Sequence, residues 1–179
     1  EGISLEKIAL THGCDCLAST VYQDCVYRNT GQQCRFCGIG LSLQNGATIR
    51  EKAPADLACA AALAQQNDGI RHVTLTTGAW PDETAGMAHL AQCVAAIKQA
   101  SGLPIHVQVC PPEHMDAIDR LRHAGADTIG IHIETAGALL LEQVAPAKAA
   151  RGLATYIKCW EHAVSVFGKN QVSSFLIAG

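Results

Sequence analysis

The stretch RHVTLTTGAWPDETAGMAHLAQCVAAIKQASGLPIHVQV, Arg71–Val109, decides the fold. Arg71 to Thr77 reads as a short buried strand ending at Gly78, and its β-branched residues suit a pleated surface. Glu83 to Ala100 follows with the apolar spacing of a long amphipathic helix, stopped by Ser101 and Gly102. Pro104 to Val109 is a second strand. A strand, a helix of this length and another strand carry the chain back across one face of a sheet, which forces parallel pairing.

The same alternation extends in both directions. Upstream, LASTVY after Cys16 reads as a first strand ending near Gln23, and Pro54 to Gln66 reads as an alanine-rich helix closed by Asn67-Asp68-Gly69. Residues 5 to 11 are apolar and ambiguous. Downstream, Glu113 to His123 is helical, Thr128 to Ile133 is a strand, and Ala138 to Ala150 is a helix interrupted near Pro146. Tyr156 to Phe167 is a further helix, and Val172 to Ala178 a final strand. About five strands interleaved with helices predict an α/β fold, either a doubly wound open sheet or a partial (β/α) TIM-like barrel.

Neither G-x-G-x-x-G after the first strand nor G-x4-G-K-S/T is present, so the dinucleotide and P-loop architectures lack their phosphate-cradling glycines. In a partial barrel, chemistry falls in the loops at the C-terminal strand ends. There the sequence places CVYRNTGQQCRFCGIG, Cys25–Gly40, together with Thr76-Thr77-Gly78, Pro111-Pro112 and Glu134-Thr135.

Composition narrows the classes of function. The chain has 179 residues, 49% of them hydrophobic, enough for one sizeable core. Net charge is −3 with Lys and Arg scattered, which favours small-molecule partners over nucleic acid or an anionic membrane. No apolar run is long enough to span a bilayer and no secretory leader is apparent, so a soluble cytoplasmic protein is expected. Nine cysteines, an odd number in a chain this long, point to metal binding in a reducing compartment, with sensitivity to oxidation. A start at Glu1 without Met, and an end at Gly179 just after an apolar run, suggest part of a longer polypeptide. The expected organisation is a lead-in over 1–16 and a C-terminally incomplete barrel over 17–179.

Cys25, Cys34 and Cys37 form a C-x8-C-x2-C set of soft thiolate ligands. Three chemistries compete for it. A structural zinc site would need a fourth ligand, available in His12, Cys14 or Cys16, and would make the chain a non-catalytic zinc-stabilised βα domain. A redox dithiol would place C-x2-C at a helix N-terminus in a differently ordered fold. Three thiolates on a four-iron cluster would leave one iron open to a small molecule, which suits catalysis. Cys59, Cys93, Cys110 and Cys159 read as small buried hydrophobes. A further class, an ordinary barrel enzyme with Glu134 as general base, makes the cysteines incidental.

The cysteine loop after the first strand, with Phe36 directly before Cys37 and βα repeats behind it, resembles the radical S-adenosylmethionine superfamily. The usual family spacing is C-x3-C-x2-C; the gap of eight resembles variant-spacing members, and Cys16 is an alternative first ligand. His132-Ile133-Glu134-Thr135 resembles the fourth-strand ending of the biotin synthase-like branch. The resemblance implies a [4Fe-4S] cluster on Cys25, Cys34 and Cys37, with S-adenosylmethionine bound beside it. Within that implied site, Thr76, Thr77 and Gly78 would meet the amino group of the methionine moiety, although Ala79 and Trp80 replace the usual Gly and Glu. Glu134 would contact ribose hydroxyls, Ile177 would pack on adenine, and Lys158 would pair with the carboxylate. It further implies reductive cleavage to a 5′-deoxyadenosyl radical, a small-molecule substrate, and an electron donor such as flavodoxin or ferredoxin. His106 and His132, on strands, are the candidate substrate contacts.

Overall fold

The computed structural model describes residues 2–178. Six strands lie in one sheet in sequence order: β1 (Leu10–His12), β2 (Cys16–Thr20), β3 (His72–Thr76), β4 (Ile105–Val109), β5 (Thr128–Ile131) and β6 (Val172–Ser173). β1 runs antiparallel to β2, and every later pair is parallel, with Ser19 opposite Leu75, Leu75 opposite Val107 and Val107 opposite Ile129. Consecutive neighbours throughout give a singly wound arc, an open part of a (β/α) barrel.

Among the described residues seven α-helices fill the crossovers: α1 (Ile39–Gln44) and α2 (Pro54–Asn67) before β3, α3 (Glu83–Ser101) before β4, and α4 (Asp116–His123) before β5. The last crossover holds α5 (Ala138–Val144), α6 (Pro146–Arg151) and α7 (Leu153–Phe167). α3 shows why the sequence signals worked. The Asp82 carboxylate accepts the Ala85 N–H at 3.0 Å as N-cap, and Gly102 turns left-handed at φ 67° to end the helix.

Strand alternation sets which face is which. Val73 and Leu75 of β3, and Ile105, Val107 and Val109 of β4, are buried under the helices, where they meet Leu90, Val94, Ile97, Ile118 and Leu121. The intervening residues, among them Thr74, Thr76, His106 and Gln108, are only half-buried and belong to the opposite face. That face is joined across strands by side chains: the Thr76 hydroxyl donates to Thr20 Oγ1 at 3.0 Å, and His106 Nδ1 lies 2.6 Å from Thr128 Oγ1.

Two expectations needed revision. The ambiguous N-terminal stretch supplies β1, making six strands instead of five, and it is anchored where the Ser19 hydroxyl donates to the Ile8 carbonyl at 2.6 Å. The final strand is two residues long, followed by an isolated Glu134–Leu176 bridge, instead of running from Val172 to Ala178. β5 itself stops at Ile131, and side chains then replace the ladder: the Ile133 N–H donates to Ser174 Oγ and the Phe175 N–H to His132 Nδ1. Glu134, at φ 72°, ends the extended conformation.

Candidate active site

The loops leaving β2 and β3 are laced together at their C-terminal ends. The Val21 N–H donates to the Thr76 carbonyl (2.8 Å), the Gly78 N–H to Tyr22 (2.9 Å) and the Val26 N–H to Ala79 (2.9 Å). Gly78 is required by this approach: a Cβ there would sit 1.7 Å from the Asp24 carbonyl oxygen. Asp24 then fixes the start of the cysteine loop, its carboxylate accepting the Cys25 N–H at 2.8 Å and lying 3.3 Å from Arg28 and 3.6 Å from Arg50. Arg28 in turn presses on Gly40, where a Cβ would come 2.0 Å from its Cζ. At the far end the Arg35 N–H donates to Val144 (2.8 Å) and the Cys37 N–H to Cys34 (3.1 Å).

This lacing opens Cys25, Cys34 and Cys37 onto one cavity of about 400 Å³. All three are free thiols; Cys37 is exposed and the other two are half-buried. Burial pushes the Cys34 thiol up to about 11. Phe36, Thr76, Thr77, Gly78 and Glu134 line the same cavity. Lys158 and Ile177 do not: Lys158 is exposed on α7, and Ile177 is 55% exposed, tied to the site only through its N–H to the Glu134 carbonyl at 2.8 Å.

The cations that do face the cavity are Lys148 and Arg151 on α6. Lys148 Nζ bonds the Glu134 carboxylate and donates to the His132 carbonyl at 2.7 Å. Arg151 pairs with Glu83 and donates to the Pro111 carbonyl at 3.0 Å. Counting back from the last strand could not single out these two, because Pro146 opens a new helix. Their signal was local, two cations three residues apart just after that proline. Cys110, read from sequence as a buried hydrophobe, also lines the cavity. So does Trp80, whose indole N–H donates to Thr77 Oγ1 at 3.1 Å while its ring stacks on Tyr22 at 4.3 Å.

Two buried polar atoms of residues that line the cavity have no hydrogen-bond partner among the described residues, His132 Nε2 and the Tyr156 hydroxyl. His132 Nδ1 accepts the Phe175 N–H, so in the neutral ring the orphaned Nε2 carries the proton. Burial pulls the His132 pKa down to about 4, keeping it neutral at physiological pH.

The donor chemistry fits the group that the sequence resemblance implies. Three soft thiols border one roomy pocket, beside a glycine-permitted backbone approach and unsatisfied donors. Among the described residues no three His, Cys, Asp or Glu side chains converge on a point that would hold a single metal ion.

Fold and site together define a partial (β/α) barrel carrying a three-cysteine loop at the C-terminal strand ends. The family model of the Radical SAM superfamily matches residues 20–177, and the chain belongs to that superfamily, whose members in general use a [4Fe-4S] cluster and S-adenosylmethionine. Among solved structures, methylornithine synthase (PylB) matches with a TM-score of 0.68 at 17% identity, over 93% of this chain and 45% of that one. HydG, a maturase of the [FeFe]-hydrogenase, matches at 0.68 and 17%, over 92% of this chain and 35% of that one. The HydG of Carboxydothermus hydrogenoformans also matches at 0.68 and 17%, over 89% and 35%. At that identity the likeness establishes the fold, and this chain spans less than half the length of each. No curated protein matches the chain. No helix among the described residues is long and apolar enough to cross a membrane.

Proposed function

We propose that Cys25, Cys34 and Cys37 bind a [4Fe-4S] cluster and that the adjoining cavity binds S-adenosylmethionine, in an enzyme of the biotin synthase-like branch acting on a small-molecule substrate. The observation that carries this is the opening of all three loop cysteines onto one cavity shared with Thr76-Thr77-Gly78 and Glu134. When bound, the two groups supply a 5′-deoxyadenosyl radical for hydrogen abstraction from substrate.

The chain's own residues position and screen. Asp24 and Gly78 hold the loop against the β3 end, and Thr76, Thr77 and Gly78 present polar backbone and hydroxyls to an amino group. Glu134, held by Lys148, accepts from ribose hydroxyls. Motif position gives the carboxylate to Lys158 and the adenine to Ile177; since both lie off the cavity, the carboxylate role passes to Lys148 or Arg151. Met87 and Trp80 give the wall apolar surface, and Phe36, 47% exposed, lies at the solvent side. The remaining parts of the reading are a barrel unit over 17–179, electrons from a flavodoxin or ferredoxin, and a reducing, cytoplasmic compartment that keeps nine thiols free.

Anaerobic reconstitution followed by iron and sulfide analysis tests it. The wild-type chain should take up about four irons and sulfides, and Cys34→Ala and Cys37→Ala should not. Four-iron loading in either variant, or a stoichiometric colourless zinc protein, overturns the proposal.

A further inference from the structure

Lysine is rarely buried without an acid beside it, because taking an ammonium out of water costs several kcal/mol unless opposite charge or hydrogen bonds offset it. Lys52 is 1% exposed. Its pKa is pulled down to about 8 by burial, with no charged partner pushing it back. Its Nζ donates instead to two oxygens, the Ile49 carbonyl at 2.9 Å and Gln23 Oε1 at 3.2 Å.

The backbone that carries Lys52 is pinned beside Gln23. The Lys52 N–H donates to the Val21 carbonyl at 3.0 Å, Tyr22 bridges Glu51, and the Gln23 N–H donates to Arg50 at 2.7 Å. From the helix side, the Lys52 carbonyl lies 3.0 Å from His89 Nε2 and 3.9 Å from Cys93 Sγ. Gln23 itself lines the cavity, and its Nε2 donates to the Ile39 carbonyl at 3.1 Å, two residues beyond Cys37.

An amide side chain has one accepting and one donating end, and which way it turns depends on its neighbours. An ammonium only donates. Lys52 therefore compels Gln23 to turn its oxygen inward and its NH₂ toward the loop, where the Ile39 carbonyl accepts it. Turned the other way, the Gln23 oxygen would face a carbonyl oxygen.

We infer that Lys52 is a positioning residue for the cysteine loop, its buried ammonium orienting the Gln23 amide so that the amide clamps the Ile39 carbonyl and holds the Cys37 end of the loop on the cavity. The inference rests on the proposed function only in taking that loop as the site. The clamp itself is a property of the metal-free chain.

Hydrogen exchange on the metal-free full chain tests it. Lys52→Met keeps an unbranched stem and removes the cation; Gln23→Leu removes the amide. Each should speed exchange of the Cys37–Leu41 amides at least tenfold while α2, α3 and β3 keep their protection. The double variant should exchange no faster than either single one, because both cut the same chain of bonds. Wild-type exchange of that segment in a folded Lys52→Met protein, or multiplicative effects in the double variant, overturns the inference. If Lys52→Met does not fold, Gln23→Leu decides, and unchanged exchange there overturns it. Iron uptake by the wild type is scored separately: its failure removes the cluster proposal and leaves the exchange result standing.

Discussion

Gly78 shows how one residue can hold a site together. A side chain there would collide with the Asp24 carbonyl, and backbone cannot yield as a flexible side chain can. Gly78→Ala should cost about 1–3 kcal/mol in urea unfolding, read against the overpacking range, with the cysteine loop the first segment to lose exchange protection. His132 contributes to the acid dependence. Its folded pKa of about 4 lies below the ordinary 6.5, so its contribution to stability is full above pH 6.5 and is lost as pH falls through 4. His106, also lowered by burial, adds in the same direction. Replacing His132 by Asn should flatten the fall in urea stability between pH 6.5 and 4, and an unchanged slope would show that this ring does not set it.

Among the elements, α6 was the hardest to anticipate and the most consequential. Helical periodicity runs on from Ala138 to Ala150, and Pro146 marks a break without saying where the second helix will point. Only the packing shows that Lys148 meets Glu134 and Arg151 meets Glu83, each pair largely shielded from water. Removing one partner of such a pair strands a charge, whereas removing both does not. Glu134→Gln and Lys148→Met should each therefore destabilise by about 1–3 kcal/mol, and the double variant by less than their sum. Equal, additive losses would mean that the pair is uncoupled. α3 was the easiest element, announced by its cap and stop; Asp82→Ala should cost about 1 kcal/mol in thermal or urea unfolding.

At the level of the molecule, an open arc of sheet leaves an edge. Phe175, Leu176 and Ile177 are 55%, 63% and 55% exposed beside β6, with Leu153 and Ile157 of α7 exposed as well. An apolar sheet edge invites association, which a charge suppresses. The isolated chain should show concentration-dependent self-association in sedimentation, and Leu176→Lys should reduce it.

Local chemistry was enough for the order of β2 to β6 and of the longer helices between them, though not for β1 or the short α1. Alternating β-branched residues, capping Asp82, and glycines such as Gly78 and Gly102 act within a few residues of themselves, and so are written in the chain. The three-thiol loop and the strand-end Thr76-Thr77-Gly78 and Glu134 were legible for the same reason: parallel βα topology sends every such loop to one end of the sheet. Distance in space was not legible. Lys148 and Arg151 replaced Lys158 on the cavity wall, Cys110 joined the thiols, and Lys52 was drawn under Gln23, because each depends on how helices far apart in sequence settle against the sheet. Burial, which makes a charge costly and a hydrogen bond directional, exists only once that packing has formed.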